Sequence, residues 1–322
     1  MKKLIALLIL LSVCILPLAS CAEPDNTKMR VGFLAGPTGM GMAKLIHDNG
    51  GVDAGNEKYS FTKFAGQEAT TLAKTALTNR TVDAICLPTN EAVAYFNSTD
   101  DDLVVLAINT LNTLYVVSDE NNTLTSFSDL EGKTIYTCSD GTPNEIIEYL
   151  LNKMNIKATV STEFDGKTIK APAMLGELVK EGKIPIAAVP EPMVTSALLQ
   201  NKTYSVDINI SDVWEEKSDT PLTMGCIVAS KTFVNEHKTV VQNFLKEYEA
   251  SIEFIDDKNN LDTAAEYVVE AGIMQAVPAA KKALTNLGGA IKYIDGKEMK
   301  EALIAFYKAV GISLPKNDAF YY

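Results

Sequence analysis

Apolar runs of strand length alternate with amphipathic runs of helix length along most of this chain, and that alternation leaves few architectures besides sheets covered by helices. Residues 29–34 read as a strand, and residues 39–49 as a helix closed by Asn49-Gly50-Gly51. Residues 59–64 alternate with the strand period, while Leu72, Ala73, Ala76 and Leu77 share one helical face. Residues 83–87 form a compact buried strand, followed by a helix over 90–96. The series then restarts. Residues 133–138 read as a strand, and Thr142-Pro143-Asn144-Glu145 opens a helix with apolar Ile146, Ile147, Leu150, Leu151 and Met154. Threonine at the cap, proline next and glutamate three residues after the cap predict a capping box. A helix over 174–181, a strand over 184–189 and a helix over 192–200 complete the second series.

Between the two series, apolar residues 103–108 and 114–117 flank the polar Asn109-Thr110-Leu111-Asn112-Thr113. That polar stretch is expected to carry the chain into a second domain, and the strand-like run 222–230 to bring it back. From residue 235 onward the pattern is helical, with Val240, Val241, Phe244, Leu245, Tyr248, Ile252 and Ile255 on one face. Helices over 261–271, 278–287 and 297–310 follow. The expected order is therefore out and back: 29–113 in a first lobe, 114–223 in a second, and 224–322 in the first again.

The N-terminus reads as an export signal. Lys2 and Lys3 precede an apolar run over residues 4–18, and Ala19-Ser20-Cys21 follows. The run is shorter than the roughly 20 apolar residues of a spanning helix, and Pro17 interrupts it. Leu18-Ala19-Ser20-Cys21 resembles the bacterial lipobox, which implies that residues 1–20 are removed and Cys21 diacylated, with 21–28 a short polar tether. The remainder would then lie outside the cytoplasm, attached to a membrane by its lipid.

Forty-one acidic residues against 29 basic ones give a net charge of −12, and only Arg30 and Arg80 are arginines. Nucleic acid is excluded as a partner on that balance. A bidentate arginine clamp on an anion has two candidates at most. Cys86, Cys138 and Cys226 each sit in an apolar stretch and read as buried small hydrophobes, with one disulfide and a leftover thiol still open. His47 and His237 lack metal-ligand spacing, so no metal is expected.

Four loops join the end of an apolar strand to the start of a helix: Gly36-Pro37-Thr38-Gly39, Pro88-Thr89-Asn90, Ser139-Asp140-Gly141-Thr142 and Pro190-Glu191. Such loops line the ligand crevice of open α/β sheets, and helix starts offer free N–H groups to a ligand. The same residues also suit plain helix capping. Glu191 is the most conspicuous carboxylate, suited to a ligand amine or hydroxyl or to the dipole of the following helix. Trp214 and Tyr95 read as packing residues ahead of ligand stackers. The glycine-rich 36–41 loop lacks a phosphate-loop lysine, and no Gly-x-Ser-x-Gly elbow occurs, so no catalytic residue and no cofactor are expected.

The lipobox, the run from Leu34 to Ala43, Leu130-Glu131-Gly132-Lys133-Thr134-Ile135, Val189-Pro190-Glu191-Pro192 and the tail from Leu314 to Tyr322 together resemble the solute-binding lipoproteins of ABC importers. The branch is that of the nitrate, sulfonate, taurine and thiamine-precursor binders. The resemblance implies an α/β chain with the two-lobe type II periplasmic-binding fold and two crossover strands. It implies a monomer that closes on a small polar or anionic solute and delivers it to permease and ATPase subunits. Carried over, Gly36, Pro37, Thr38, Gly39, Met40, Thr89 and Asn90 would bind ligand from one lobe, and Ser139, Asp140, Gly141, Thr142 and Glu191 from the other, with Asn109 and Thr113 at the hinge. The chain departs from the thiamine-precursor subgroup in lacking its cysteine-rich motif, and from anion binders that use arginine. An enzyme on the same fold, of the thiamine-pyrimidine or menaquinone pathway type, is the alternative, and an export signal argues against it.

Overall fold

The computed structural model describes residues 25–54, 56–99 and 102–322, so the proposed signal and Cys21 lie outside the described residues. The chain begins with β1 (Met29–Leu34), α1 (Pro37–Met40), α2 (Ala43–Asp48), β2 (Tyr59–Phe64), α3 (Ala69–Thr78), β3 (Ala84–Pro88), α4 (Thr89–Ser98) and β4 (Val104–Leu111). It continues through β5 (Leu114–Asp119), β6 (Thr134–Tyr136), α5 (Pro143–Met154), β7 (Thr159–Ser161), the hairpin β8 (Glu163–Phe164) and β9 (Lys167–Thr168), and α6 (Pro172–Lys180). Next come β10 (Ile186–Pro190), α7 (Met193–Gln200), β11 (Tyr204–Asn209) and α8 (Ile210–Lys217). The last part is β12 (Thr223–Ala229), α9 (Lys231–Glu236), α10 (Lys238–Asp256), α11 (Leu261–Glu270), α12 (Val277–Asn286) and α13 (Gly296–Val310).

Two five-stranded sheets result, ordered β2-β1-β3-β12-β4 and β11-β5-β10-β6-β7. In each, one strand runs against the other four: β12 is antiparallel to β3 and β4, and β5 is antiparallel to β10 and β11. The reversed strand is in both cases the one arriving from the other sheet. This is the α/β, two-lobe type II periplasmic-binding architecture with two crossovers. The outgoing crossing at Asn112-Thr113 and the returning one into β12 lie side by side, for the Asn112 amide donates to the Leu222 carbonyl at 3.2 Å. Asn112 takes a left-handed conformation, φ 47°, which asparagine tolerates better than most residues.

Both faces of each sheet are covered, so the strands read as continuous apolar runs. Ile85 and Leu87 of β3 point into one core, and Ala84 and Cys86 into another on the opposite face. The first of these cores continues across the crossings to Ile146, Ile147 and Trp214, while Val117, Ala187 and Val189 back the second sheet. Cys86, Cys138 and Cys226 are buried and free. Among the described residues no helix is long and apolar enough to cross a membrane.

Four expectations change. The polar 109–113 stretch is not a connector throughout, since β4 runs to Leu111 and buries Asn109 and Thr110. Their polar atoms are met internally: Asn109 Nδ2 donates to Tyr248 OH at 3.0 Å and to the Thr38 carbonyl at 3.2 Å, and Thr110 Oγ1 donates to Asn109 Oδ1 at 2.9 Å. The helix read over 39–49 splits into α1 and α2. β11 and α8 escape the sequence reading, because β11 mixes exposed polar with buried apolar positions and α8 is two turns long. The helix after Thr142 begins as expected, but its capping box does not form. Thr142 Oγ1 instead donates to Met224 Sδ at 3.4 Å.

Trp214 is a core residue. Its ring is 5.0 Å from Tyr149 and 5.8 Å from Phe306, and its Nε1 donates to the Thr220 carbonyl at 2.6 Å. Phe306 lies on α13, so this pair packs the C-terminal helix against the second sheet's helices. Removing a buried phenyl ring costs about 3–5 kcal/mol. Phe306→Ala is therefore expected to lower the unfolding free energy by about that amount and to red-shift the emission of the single tryptophan, measured by urea titration with fluorescence detection.

Candidate ligand-binding site

The strand ends of both sheets face each other across a cavity of about 130 Å³. From the first sheet come Leu34 to Thr38 after β1, Phe64 to Gly66 after β2, Ala69 and Thr70 at the start of α3, and Pro88. The second contributes Asp140 to Pro143, Ala171 to Ala173, and Pro190 to Met193. Thr110, Thr113 and Met224 close the back, where the crossings run.

Of the residues expected at the site, Gly36, Pro37, Thr38, Asp140, Gly141, Thr142 and Glu191 line this cavity, as does Thr113. The others lie elsewhere. Met40 is fully buried in the core, and Gly39 packs against the Leu34 carbonyl and the Phe33 ring. The Thr89 hydroxyl is occupied by the Thr223 carbonyl at 3.1 Å. Asn90 Nδ2 spans the two sheets to the Gly141 carbonyl at 2.7 Å, so it acts as a link beside the cavity. Ser139 is exposed, with its hydroxyl on Asp140 Oδ1 at 3.2 Å. Asn109 is buried behind the wall and holds the Thr38 carbonyl in place.

Two glycines have steric reasons to be here. A side chain at Gly225 would overlap Thr38 Cγ2 and stand 2.8 Å from Asn109 Oδ1, so β12 needs glycine for the Thr38 turn to approach. Gly141 sits at φ 93°, a left-handed position that glycine adopts without strain.

Sequence reasoning missed the β2–α3 turn, with Phe64, Ala65, Gly66, Ala69 and Thr70, and the Ala171-Pro172-Ala173 turn. The signal was present. The first is a strand-to-helix turn of the same construction as the four chosen, and the second follows the β8–β9 hairpin and is marked by proline at the first helical position.

Glu191 is fully buried and spends its carboxylate on protein donors. Thr195 gives it an amide at 3.1 Å and a hydroxyl at 2.9 Å, and Asn286 Nδ2 of α12 donates at 2.6 Å. Burial pushes the Glu191 carboxyl above its ordinary range, although these hydrogen bonds pull it down. Asp140 is half-buried and also raised, by desolvation first and then by the nearby Glu91, and the Ser139 hydroxyl is its one side-chain hydrogen bond.

A raised folded-state pKa means the folded chain holds that proton more tightly than the unfolded chain. Glu191 therefore contributes stability that is full below its ordinary value of 4.5 and is lost as pH rises through its higher folded value. Wild type measured against Glu191→Gln, by urea unfolding at a series of pH values, isolates this contribution. Its stability relative to the variant is expected to fall as pH rises above about 4.5. A constant or growing advantage would contradict the assignment.

A family model described as NMT1/THI5 like matches residues 69–258. No curated protein matches the chain. Among solved structures, an ABC transporter protein from Parabacteroides distasonis is similar at a TM-score of 0.69 and 19% identity, over 92% of this chain and 99% of that one. The alkanesulfonate-binding protein of Xanthomonas axonopodis pv. citri, bound to MOPS, is similar at 0.67 and 15%, over 92% and 96%. The periplasmic nitrate-binding protein of Synechocystis gives 0.62 and 14%, over 86% and 75%. At these identities the likeness is one of fold. The family match covers more than half of the sequence and includes the second sheet and part of the first, and the chain belongs to the NMT1/THI5-like family.

Proposed function

We propose that the protein is an extracytoplasmic solute-binding lipoprotein that captures one small molecule between two lobes and delivers it to the permease of an ABC importer. The observation that carries this reading is the cavity itself, walled from both sheets at their strand ends and backed by the two crossings. Residues 29–113 and 224–322 form one lobe in this reading, and 114–223 the other. Bending falls at Asn112-Thr113 and at the return into β12, because Asn109 is fixed in its strand by buried hydrogen bonds. Thr113 lines the cavity at that point, so the hinge and the ligand share a residue.

Besides the buried Asn286 to Glu191 bond, two polar links join the lobes beside the cavity, Asn90 to Gly141 and Lys170 Nζ to Glu68 Oε1 at 2.8 Å. Opening breaks both, and a bound solute adds contacts that favour the closed arrangement. Among the described residues, the cavity wall carries the carboxylates of Asp140 and Glu191. The solved binding proteins of similar fold support delivery to a transporter, and the lipobox at Cys21 supports tethering next to one.

Uptake assays on three strains test the reading. Deletion is expected to abolish uptake of one labelled solute, the wild-type gene to restore it, and Cys21→Ser to yield protein released from the membrane with uptake reduced. The purified protein should return that solute chemically unchanged by mass spectrometry. Conversion of the solute would favour the enzyme alternative, and a membrane-retained Cys21→Ser protein would contradict lipid anchoring.

A further inference from the structure

The charge around the cavity runs opposite to that of an anion site. Among the described residues that line it, none is lysine, arginine or histidine, whereas Asp140 and Glu191 are both acidic. The two lysines that act on Asp140 are paired, Lys74 with Glu91 at 2.6 Å and Lys170 with Glu68 at 2.8 Å, while Lys282 acts on Glu191. Both arginines are also engaged outside the cavity, Arg30 with Asp83 and Arg80 with Asp102.

Helix starts at the cavity would be the remaining attraction for an anion, each worth about half a positive charge. The chain supplies a carboxylate to four of them. Glu68 occupies the cap position of α3, and Glu91 lies in the first turn of α4. In the first turn of α5, the Glu145 carboxylate bonds its own backbone amide. Glu191 takes the Thr195 amide of α7. These carboxylates offset the positive ends of those four helices, whereas the starts of α1 and α6, which also line the cavity, carry no acid in their first turn. The cavity carboxylate with room for another partner is Asp140.

Size narrows the class further. A cavity of about 130 Å³ compares with the roughly 150 Å³ that takes up benzene. Leu34, Phe64, Pro88 and Met193 supply apolar walls for a flat body. We propose that the cavity takes a compact organic cation of about one ring, with an amine or amidine group on Asp140, and that it rejects anions of the same shape. This rests on the solute-binding reading above.

Three planar probes of matched size differ in charge and in the hydrogen-bond donors that go with it: benzamidinium, benzamide and benzoate. Calorimetric titration of the full mature chain at pH 7 is expected to rank them in that order, with benzamidinium at least tenfold tighter than benzoate. Asp140→Asn should cut benzamidinium affinity tenfold or more while changing benzamide less than threefold, and its thermal midpoint should show that it folds. Benzoate binding as tightly as benzamidinium would overturn the charge assignment yet leave solute binding intact. A cation preference that survives Asp140→Asn would overturn the role of Asp140, and no binding of benzamidinium at millimolar concentration would overturn the proposal. The solute-binding reading falls separately, through the uptake assays.

Discussion

Both passages of the chain between the sheets run side by side, and the rest of the molecule is arranged around that constraint. Leu111 pairs with Thr223 in the first sheet, and Asn112 bonds Leu222 one residue further on. In the proposed function these two adjacent strands are the axis about which the lobes bend. Because each crossing enters the opposite sheet as its reversed strand, the carboxyl ends of the remaining strands are left facing each other. The cavity follows from this topology before any particular side chain is considered. Its back wall is the crossing itself, at Thr110, Thr113 and Met224.

Packing and polar contacts divide the work between the two sides of the cavity. Behind it, the Phe306 and Trp214 rings continue one apolar core from the first sheet into the second. The Glu191 to Asn286 bond adds a buried polar tie between α12 and the loop before α7. Beside the cavity the ties are the Asn90 to Gly141 bond and the half-exposed Lys170 to Glu68 pair. An exposed ion pair contributes at most about 1 kcal/mol, so that side is the weaker one.

Much of this was legible in the sequence because it rests on local signals. The β3 run Ala84 to Leu87 and the long amphipathic α10 fall where apolar spacing put them. What was not legible depends on partners far away in sequence. Thr142 has the residues of a capping box around it, yet its hydroxyl meets Met224, 82 positions on. Asn109 looked like part of a polar linker and is instead buried against Tyr248, 139 positions away. Ser139 and Thr89 carry suitable hydroxyls in suitable loops, but one turns to solvent and the other to the Thr223 carbonyl. The sign of the charge in the cavity was hidden for the same reason. Which side chains line the cavity is settled only when the strand-end turns of the two sheets meet.

The central claim is that ligand is held between the two lobes at their facing strand ends. A crystal structure of the mature protein purified with its own solute tests it most directly. The account predicts density for one small molecule enclosed by the Leu34 to Thr38 turn on one side and the Asp140 to Thr142 turn on the other, with Asn90 still bonded to Gly141. Solute bound outside this cavity, or a cavity filled only by water at full ligand occupancy, would contradict it.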